Sequence, residues 1–302
     1  MIVEKNSHAS IMKSVSPQVA GYSMAVVGSV SYGLNPLFAL PLYGVGVTPM
    51  SVLFYRYGLT VLLMGLLMAV LGQPFHATRR QLVLSLAMGQ LFALSSVCLF
   101  VSFKLMDAGI ASVILFTYPM FVALISWACF HERLSRVALV SFILAFAGIC
   151  CLHGDSGGRQ SVLGVVMAVA SGLSYAVYIV GVNRSVLRTM PAFSLTFYAS
   201  LSGLVLFFVC CGFGLDLSPL HGASSWGCAA GLALFPTIVS LLLVTRSIHL
   251  IGSTPAAIIG ALEPITALAV SLLVFGGTLT WLNVAGVVLV LFAVCLMMWK
   301  NH

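Results

Sequence analysis

Apolar residues in this chain do not alternate with polar ones. They come in long unbroken runs separated by short polar or glycine-rich breaks. A window of about 19 residues finds roughly ten runs long enough to cross a bilayer. Their limits are 18–42, 48–72, 82–104, 108–129, 135–153, 161–184, 191–213, 225–247, 253–276 and 280–299. The breaks carry turn chemistry: Gly44-Val45-Gly46, Gly72-Gln73-Pro74, Gly154-Asp155-Ser156-Gly157-Gly158 and Gly276-Gly277. Continuous runs predict helices and speak against a β-barrel, whose strands alternate.

The runs also fall into two matched sets. Segment 108–152 aligns with 253–297: Ala111 meets Ala256, Ile114 meets Ile259, Pro119 meets Pro264, Ser126 meets Ser271, Phe130 meets Phe275, and Cys150 meets Cys295. Upstream, Ser31-Tyr32 matches Ser174-Tyr175, Ser51 matches Ser194, and Phe54-Tyr55 matches Phe197-Tyr198. The chain therefore reads as a tandem duplication of a roughly five-span unit, and an odd span count turns the second copy upside down in the membrane. The predicted layout is a polar tail (1–17), a first repeat (18–153), an outer linker (154–160), a second repeat (161–299) and a short end (300–302). The predicted fold class is an all-α polytopic membrane protein, with about ten transmembrane helices in two inverted five-helix repeats.

Composition agrees. The chain has 302 residues, 61% hydrophobic and only 6% charged, where soluble domains carry roughly a quarter charged residues. The net charge of +7 does not point to nucleic acid, because the basic residues stand singly between apolar runs. They set topology instead. With the N-terminus in the cytoplasm, Lys5, Lys13, Arg79, Arg80, Arg133, Arg136, Arg184, Arg188, Arg246 and Lys300 fall on the cytoplasmic side. Lys104 and Arg159 fall outside. This asymmetry predicts that both termini are cytoplasmic. The eight cysteines lie in or beside apolar runs, without C-x-x-C spacing, and read as small buried hydrophobes. Neither a metal site nor a cofactor is expected. No enzyme motif or Walker sequence occurs, so energy has to come from an ion gradient, from exchange or from the substrate gradient.

The stretches "YPMFVALISWACFHERLS…AGICCL" and "EPITALAVSLLVFGGTLT…AVCLMM", with "FYRYG" early in the second run, resemble the EamA repeat of the drug/metabolite transporter superfamily. The resemblance covers nearly the whole chain from about residue 18. It implies a ten-helix fold around a central cavity and export of amino acids or other small metabolites from the cytoplasm of a bacterium, by a monomer or homodimer in the inner membrane. Span 4 or 9 of such repeats often ends in a Gly-Glu pair. Glu132 suits that place in the first copy, whereas Gly277 stands there in the second.

Within the runs, Glu263 is the residue that most needs explaining. The apolar stretches on either side of it are each too short to cross alone, so it lies near the middle of one span. A carboxylate there costs on the order of 2.5–3.5 kcal/mol on insertion scales. It has to face the protein interior or water, and the small residues Ala256, Gly260, Ala267 and Ser271 share its helical face. Two readings stand: it lines a cavity and binds a proton or a substrate ammonium, or it is hydrogen-bonded structurally. Pro119 and Pro264 are repeat-related kinks, and Pro36 and Pro236 break two further spans. Arg56 either snorkels to the outer interface or turns inward toward a substrate carboxylate or Glu263. Tyr32, Asn35, Tyr118, Tyr175, Tyr178, Gln90, Ser95, Thr237 and Ser240 add mid-span polar atoms. Each alone is more often helix–helix glue than a ligand contact. Together they suit a small zwitterionic or aromatic solute rather than a bare ion or phosphate ester.

Overall fold

The computed structural model describes residues 16–131, 135–154 and 161–300. Lys5, Lys13, Glu132, Arg133, Arg159, most of the tail, most of the 154–160 linker and the last two residues lie outside the described residues. Fourteen α-helices follow one another: α1 (Pro17–Gly33), α2 (Asn35–Gly44), α3 (Pro49–Val70), α4 (Arg79–Leu105), α5 (Ala108–Leu115), α6 (Tyr118–Phe130), α7 (Arg136–Gly154), α8 (Val162–Asn183), α9 (Ala192–Cys210), α10 (Gly222–Ala233), α11 (Ser240–Ile251), α12 (Ser253–Ile259), α13 (Leu262–Phe275) and α14 (Trp281–Lys300). Among the described residues no strand forms. Among the described residues nine helical stretches are long and apolar enough to cross a bilayer, and Arg136–Leu152 adds a shorter apolar helix. The ten runs expected from the sequence coincide with these stretches to within a few residues.

Helix starts follow the polar residues at the run edges. Thr48 accepts from the Ser51 amide ahead of Pro49. Thr78 and Gln81 form a reciprocal capping box on α4. Two ends match across the repeats. His131 and Gly276 both adopt left-handed backbone, and their amides donate to the Ser126 and Ser271 carbonyls.

Four spans are interrupted where a proline removes an amide donor, and in three of them the carbonyl one turn earlier takes a different donor. At the α1–α2 break, Pro36 frees the Tyr32 carbonyl, which takes the Asn35 side-chain amide at 2.9 Å. Between α10 and α11, Leu234–Val239 widens into a π-helical turn around Pro236, and the Leu232 carbonyl takes the Thr237 hydroxyl at 3.1 Å. Between α12 and α13, Pro264 frees the Gly260 carbonyl, which takes the Glu263 amide at 2.9 Å. At the α5–α6 break, above Pro119, the Leu115 carbonyl faces Gly172 of α8 closely enough that a Cβ there would sit 3.3 Å away.

The second, fourth and fifth spans pair with their sequence counterparts. α7 lies along α14, α3 along α9 and α5 along α13, while α1 packs on α11 as α4 packs on α8. The α7–α14 crossing is backbone-close: a Cβ on Gly148 would meet the Gly286 carbonyl at 2.9 Å, and one on Gly286 would meet the Gly148 carbonyl at 2.7 Å. Small residues at such crossings let dispersion and weak backbone contacts act without a hydrophobic driving force. Gly286→Leu is expected to cost about 1–3 kcal/mol by overpacking and to lower the thermal unfolding midpoint of the solubilised protein. An unchanged midpoint would contradict the close crossing.

Candidate functional site

The interrupted spans surround two adjoining spaces. The smaller, of about 20 Å³, is lined by Tyr32, Gly33, Asn35, Leu99, Ser112, Leu115, Phe116, Tyr118, Tyr175, Glu263, Pro264 and Ala267. The larger, of about 430 Å³, is open, and its walls include Ser29, Tyr118, Pro119, Val122, Ile179, Val244, Ile248, Gly260, Glu263 and Met297. Tyr118 and Glu263 line both, so the carboxyl group and the phenol ring stand where the enclosed space meets the open one. The larger space is bounded by the C-terminal part of α14 and by α12, so it lies toward the end of the bundle where the chain finishes.

The other end is shut by α5 against α13. A Cβ on Gly109 would sit 2.6 Å from the Leu268 Cα, so the two backbones touch. Asp107 caps α5 by accepting from the Ile110 amide at 3.0 Å. Its other carboxylate oxygen accepts a hydrogen bond from the Ser271 hydroxyl of α13. Gly277 packs against this pair; a Cβ on it would come to 3.0 Å from the Asp107 oxygen. The sequence analysis did not single out Asp107. The available signal was its place immediately before an apolar helical run, which marks an N-cap.

Of the candidate residues, the fold brings Glu263, Tyr32, Asn35, Tyr118 and Tyr175 together around the small space, along with Phe116, Ser112 and Leu99, which the sequence reading did not single out. Glu263 is half-buried, and among the described residues its side chain takes no hydrogen bond or ion pair. Asn35 is 3% exposed, and its Oδ1 has no partner. The rings form a connected wall. Phe116 and Tyr118 meet edge to face at 5.9 Å, Tyr118 and Tyr175 at 4.8 Å, and Tyr175 stacks on Tyr178 at 6.0 Å. The four interrupting prolines divide between the spaces: Pro264 lines the smaller and Pro119 the larger, while Pro36 and Pro236 are buried at their own breaks.

The remaining candidates are engaged elsewhere. Gln90 donates to the Ser202 carbonyl at 2.9 Å and ties α4 to α9. Ser95 and Ser171 exchange hydrogen bonds with each other's carbonyls at 3.0 and 2.7 Å, joining α4 to α8. Ser240 is buried at the start of α11. Arg56 points inward: it is 3% exposed, its Nε donates to the Thr237 hydroxyl at 3.1 Å, and its guanidinium lies 5.4 Å from the Phe100 ring centroid. Among the described residues no ion pair joins it to Glu263, and it lines neither space. No group of three or more His, Cys, Asp or Glu able to hold a metal occurs among the described residues.

A family model described as the EamA-like transporter family matches this chain twice, over residues 19–153 and 162–299. The chain belongs to the EamA-like transporter family. It is thus a multi-pass membrane transporter of the drug/metabolite superfamily, acting on small-molecule substrates across a bilayer. Its relatives include the uncharacterized transporter sll1319 of Synechocystis sp., 32% identical over 70% of this chain and 65% of that protein. Two Bacillus subtilis proteins, the uncharacterized transporters YvbV and YcbK, are each 24% identical. Those matches cover 81% and 92% of this chain, and 82% and 92% of the relatives. A solved crystal structure superposes with a TM-score of 0.66 at 17% identity, covering 95% of this chain and 99% of that one. That is a likeness of fold.

The tie at the closed end of this EamA-like transporter yields a measurable difference. Asp107→Ala removes both the α5 cap and the bridge to α13, and loss of a cap alone costs about 0.5–2 kcal/mol. Ser271→Ala removes the bridge but leaves the cap. Thermal unfolding of the solubilised variants is expected to show the larger loss for Asp107→Ala. Equal losses would contradict the double role of Asp107.

Proposed function

We propose that this chain is a secondary transporter that exports amino acids or similar small amino-bearing metabolites by alternating access, with a proton carried on Glu263. The observation that carries the reading is the placement of Glu263, an unpartnered carboxyl at the junction of the enclosed and open spaces. A group at that position meets solute that enters from the open end.

The pairing of counterpart helices supports two inverted halves. α5 touches α13 at the closed end, while α6 and α12, the remaining parts of the same two spans, both line the open space. Rocking the halves about the breaks beside Pro119 and Pro264 exchanges these arrangements: α6 and α12 close as α5 and α13 part. The Lys and Arg bias supports cytoplasmic termini in the inner membrane of a bacterium, which sets the open space toward the cytoplasm and solute movement outward. Proton coupling requires that the carboxyl release its proton to bind the amine and take it back on the other side, so that the buried site is never left holding an unpaired charge.

Reconstituted into proteoliposomes, Glu263→Gln is expected to abolish solute accumulation driven by a pH gradient while sparing solute exchange. Unchanged gradient-driven accumulation by the variant would overturn the coupling role and leave an uncoupled exchanger.

A further inference from the structure

The Asn35 amide has a fixed orientation. Its nitrogen donates to the Tyr32 carbonyl, which can only accept, so its oxygen is the atom left over. That oxygen is buried and unpartnered. Among the described residues the Glu263 side chain likewise takes no hydrogen bond or ion pair. Both residues line the enclosed space. The rings of Tyr32, Tyr118 and Tyr175 line it too, and among the described residues their hydroxyls make no hydrogen bond. Other inward tyrosines are answered: the hydroxyls of Tyr43 and Tyr57 bond at 2.9 and 2.7 Å.

Size limits what can answer these groups. The enclosed space is about 20 Å³, and a water needs roughly 10–15 Å³ of such space together with a few polar partners. One water fits; the frame of a solute does not. Chemistry selects the same occupant. Asn35 Oδ1 only accepts, and so does a charged Glu263 carboxylate, so neither answers the other. No Lys, Arg or His lines either space, and Glu263 and the three tyrosines are the titratable groups that do. Of the charged groups beyond them, Arg56 is held on Thr237 and Phe100, and Asp107 is tied to Ser271 at the closed end. A water brings two O–H donors and an acceptor, and it is free to turn.

We propose that one ordered water occupies the enclosed space, positioned by Asn35, and answers the Glu263 carboxyl in both of its protonation states. With the carboxyl charged, the water donates one O–H to it and the other to Asn35 Oδ1. With the carboxyl protonated, the Glu263 O–H donates to the water oxygen. The water then keeps its bond to Asn35 and turns its second O–H to a tyrosine hydroxyl. No bond within the water breaks, and the coupling proton itself enters and leaves through the open space. Solute and water thus meet Glu263 from opposite sides, and the solute's own charged groups stay in the larger space. Asn35 is a positioning residue that acts through the water. The inference rests on the reading of Glu263 as the proton carrier. It supplies what lets a carboxyl in mid-membrane change charge without a counter-ion.

Infrared difference spectra between acidic and alkaline pH, recorded on the full chain in membranes, test the water directly. A water O–H band that shifts in heavy-oxygen water is expected in the wild type, and its pH response is expected to vanish in Glu263→Gln. Asn35→Leu should remove the band, but it also strips the donor from the Tyr32 carbonyl. Ala267→Val is the cleaner variant. Ala267 lines the space and is 1% exposed, so the added methyls fill the space while every polar group stays in place. The band is expected to be lost in it. In proteoliposomes the ratio of pH-gradient-driven accumulation to solute exchange is expected to fall about tenfold, the effect of one lost hydrogen bond to a charged group. A merely structural defect lowers both fluxes together and leaves the ratio unchanged, which would overturn the inference. So would a wild type without the band, or a band that persists in Ala267→Val. The two readings stay distinguishable. Coupled transport without the band contradicts the water and leaves the proton carrier standing. The band without gradient-driven accumulation contradicts the carrier and leaves the water standing.

Discussion

Hydrocarbon offers no partner to a peptide carbonyl, so each one that a proline frees inside the membrane has to be answered by the protein itself. That constraint organises the centre of this transporter. The Tyr32 carbonyl is answered by Asn35, the Leu232 carbonyl by Thr237, and the Gly260 carbonyl by the Glu263 amide. Each answer fixes a polar residue at a break in the middle of a span. One end of the Asn35 amide is thereby anchored and the other left over. Thr237 is turned so that its hydroxyl accepts from Arg56. The amide of Glu263 closes the turn before Pro264, and its carboxyl falls at the meeting point of the two spaces.

The two halves share architecture and differ in chemistry. Tyr118-Pro119 and Glu263-Pro264 occupy matched positions, each just past a break, and both residues ahead of the prolines line both spaces. Span ends are matched as well: the left-handed His131 and Gly276 receive the same treatment from Ser126 and Ser271. Other features occur in one half alone. α8 runs unbroken where its counterpart splits into α1 and α2, and α4 runs unbroken where its counterpart widens around Pro236. The tie between Asp107 and Ser271 closes one end only. A molecule with this inequality between its ends has one face shut and the other open, as the proposed alternation requires.

Much of this was legible in the sequence because membrane helices write themselves as length and hydropathy. The runs gave the helices to within a few residues, and the matched prolines marked where two of them break. Glu263 stood out because an acid in mid-span is costly, and Tyr32, Asn35, Tyr118 and Tyr175 share its neighbourhood in the fold. Gln90 and Ser95 carried the same kind of signal, yet their polar atoms join α4 to its neighbours. Sequence periodicity cannot separate a hydroxyl facing a cavity from one facing a carbonyl on the next helix, because both lie on the inward side. Asp107 was legible only as an N-cap, for a different reason. Its importance comes from Ser271, far along the chain, and only the packing of α5 on α13 brings the two together.

The central claim is that Glu263 stands unpartnered at a passage open to one face of the membrane and shut to the other. The most direct measurement is the reaction of a Glu263→Cys variant, in a background with the native cysteines replaced, with a membrane-impermeant thiol reagent. The reagent is applied separately to each face of sealed vesicles of known orientation. The account expects modification from the face that carries the chain termini and protection from the opposite face. Modification of equal extent from both faces, or from the opposite face alone, would contradict it.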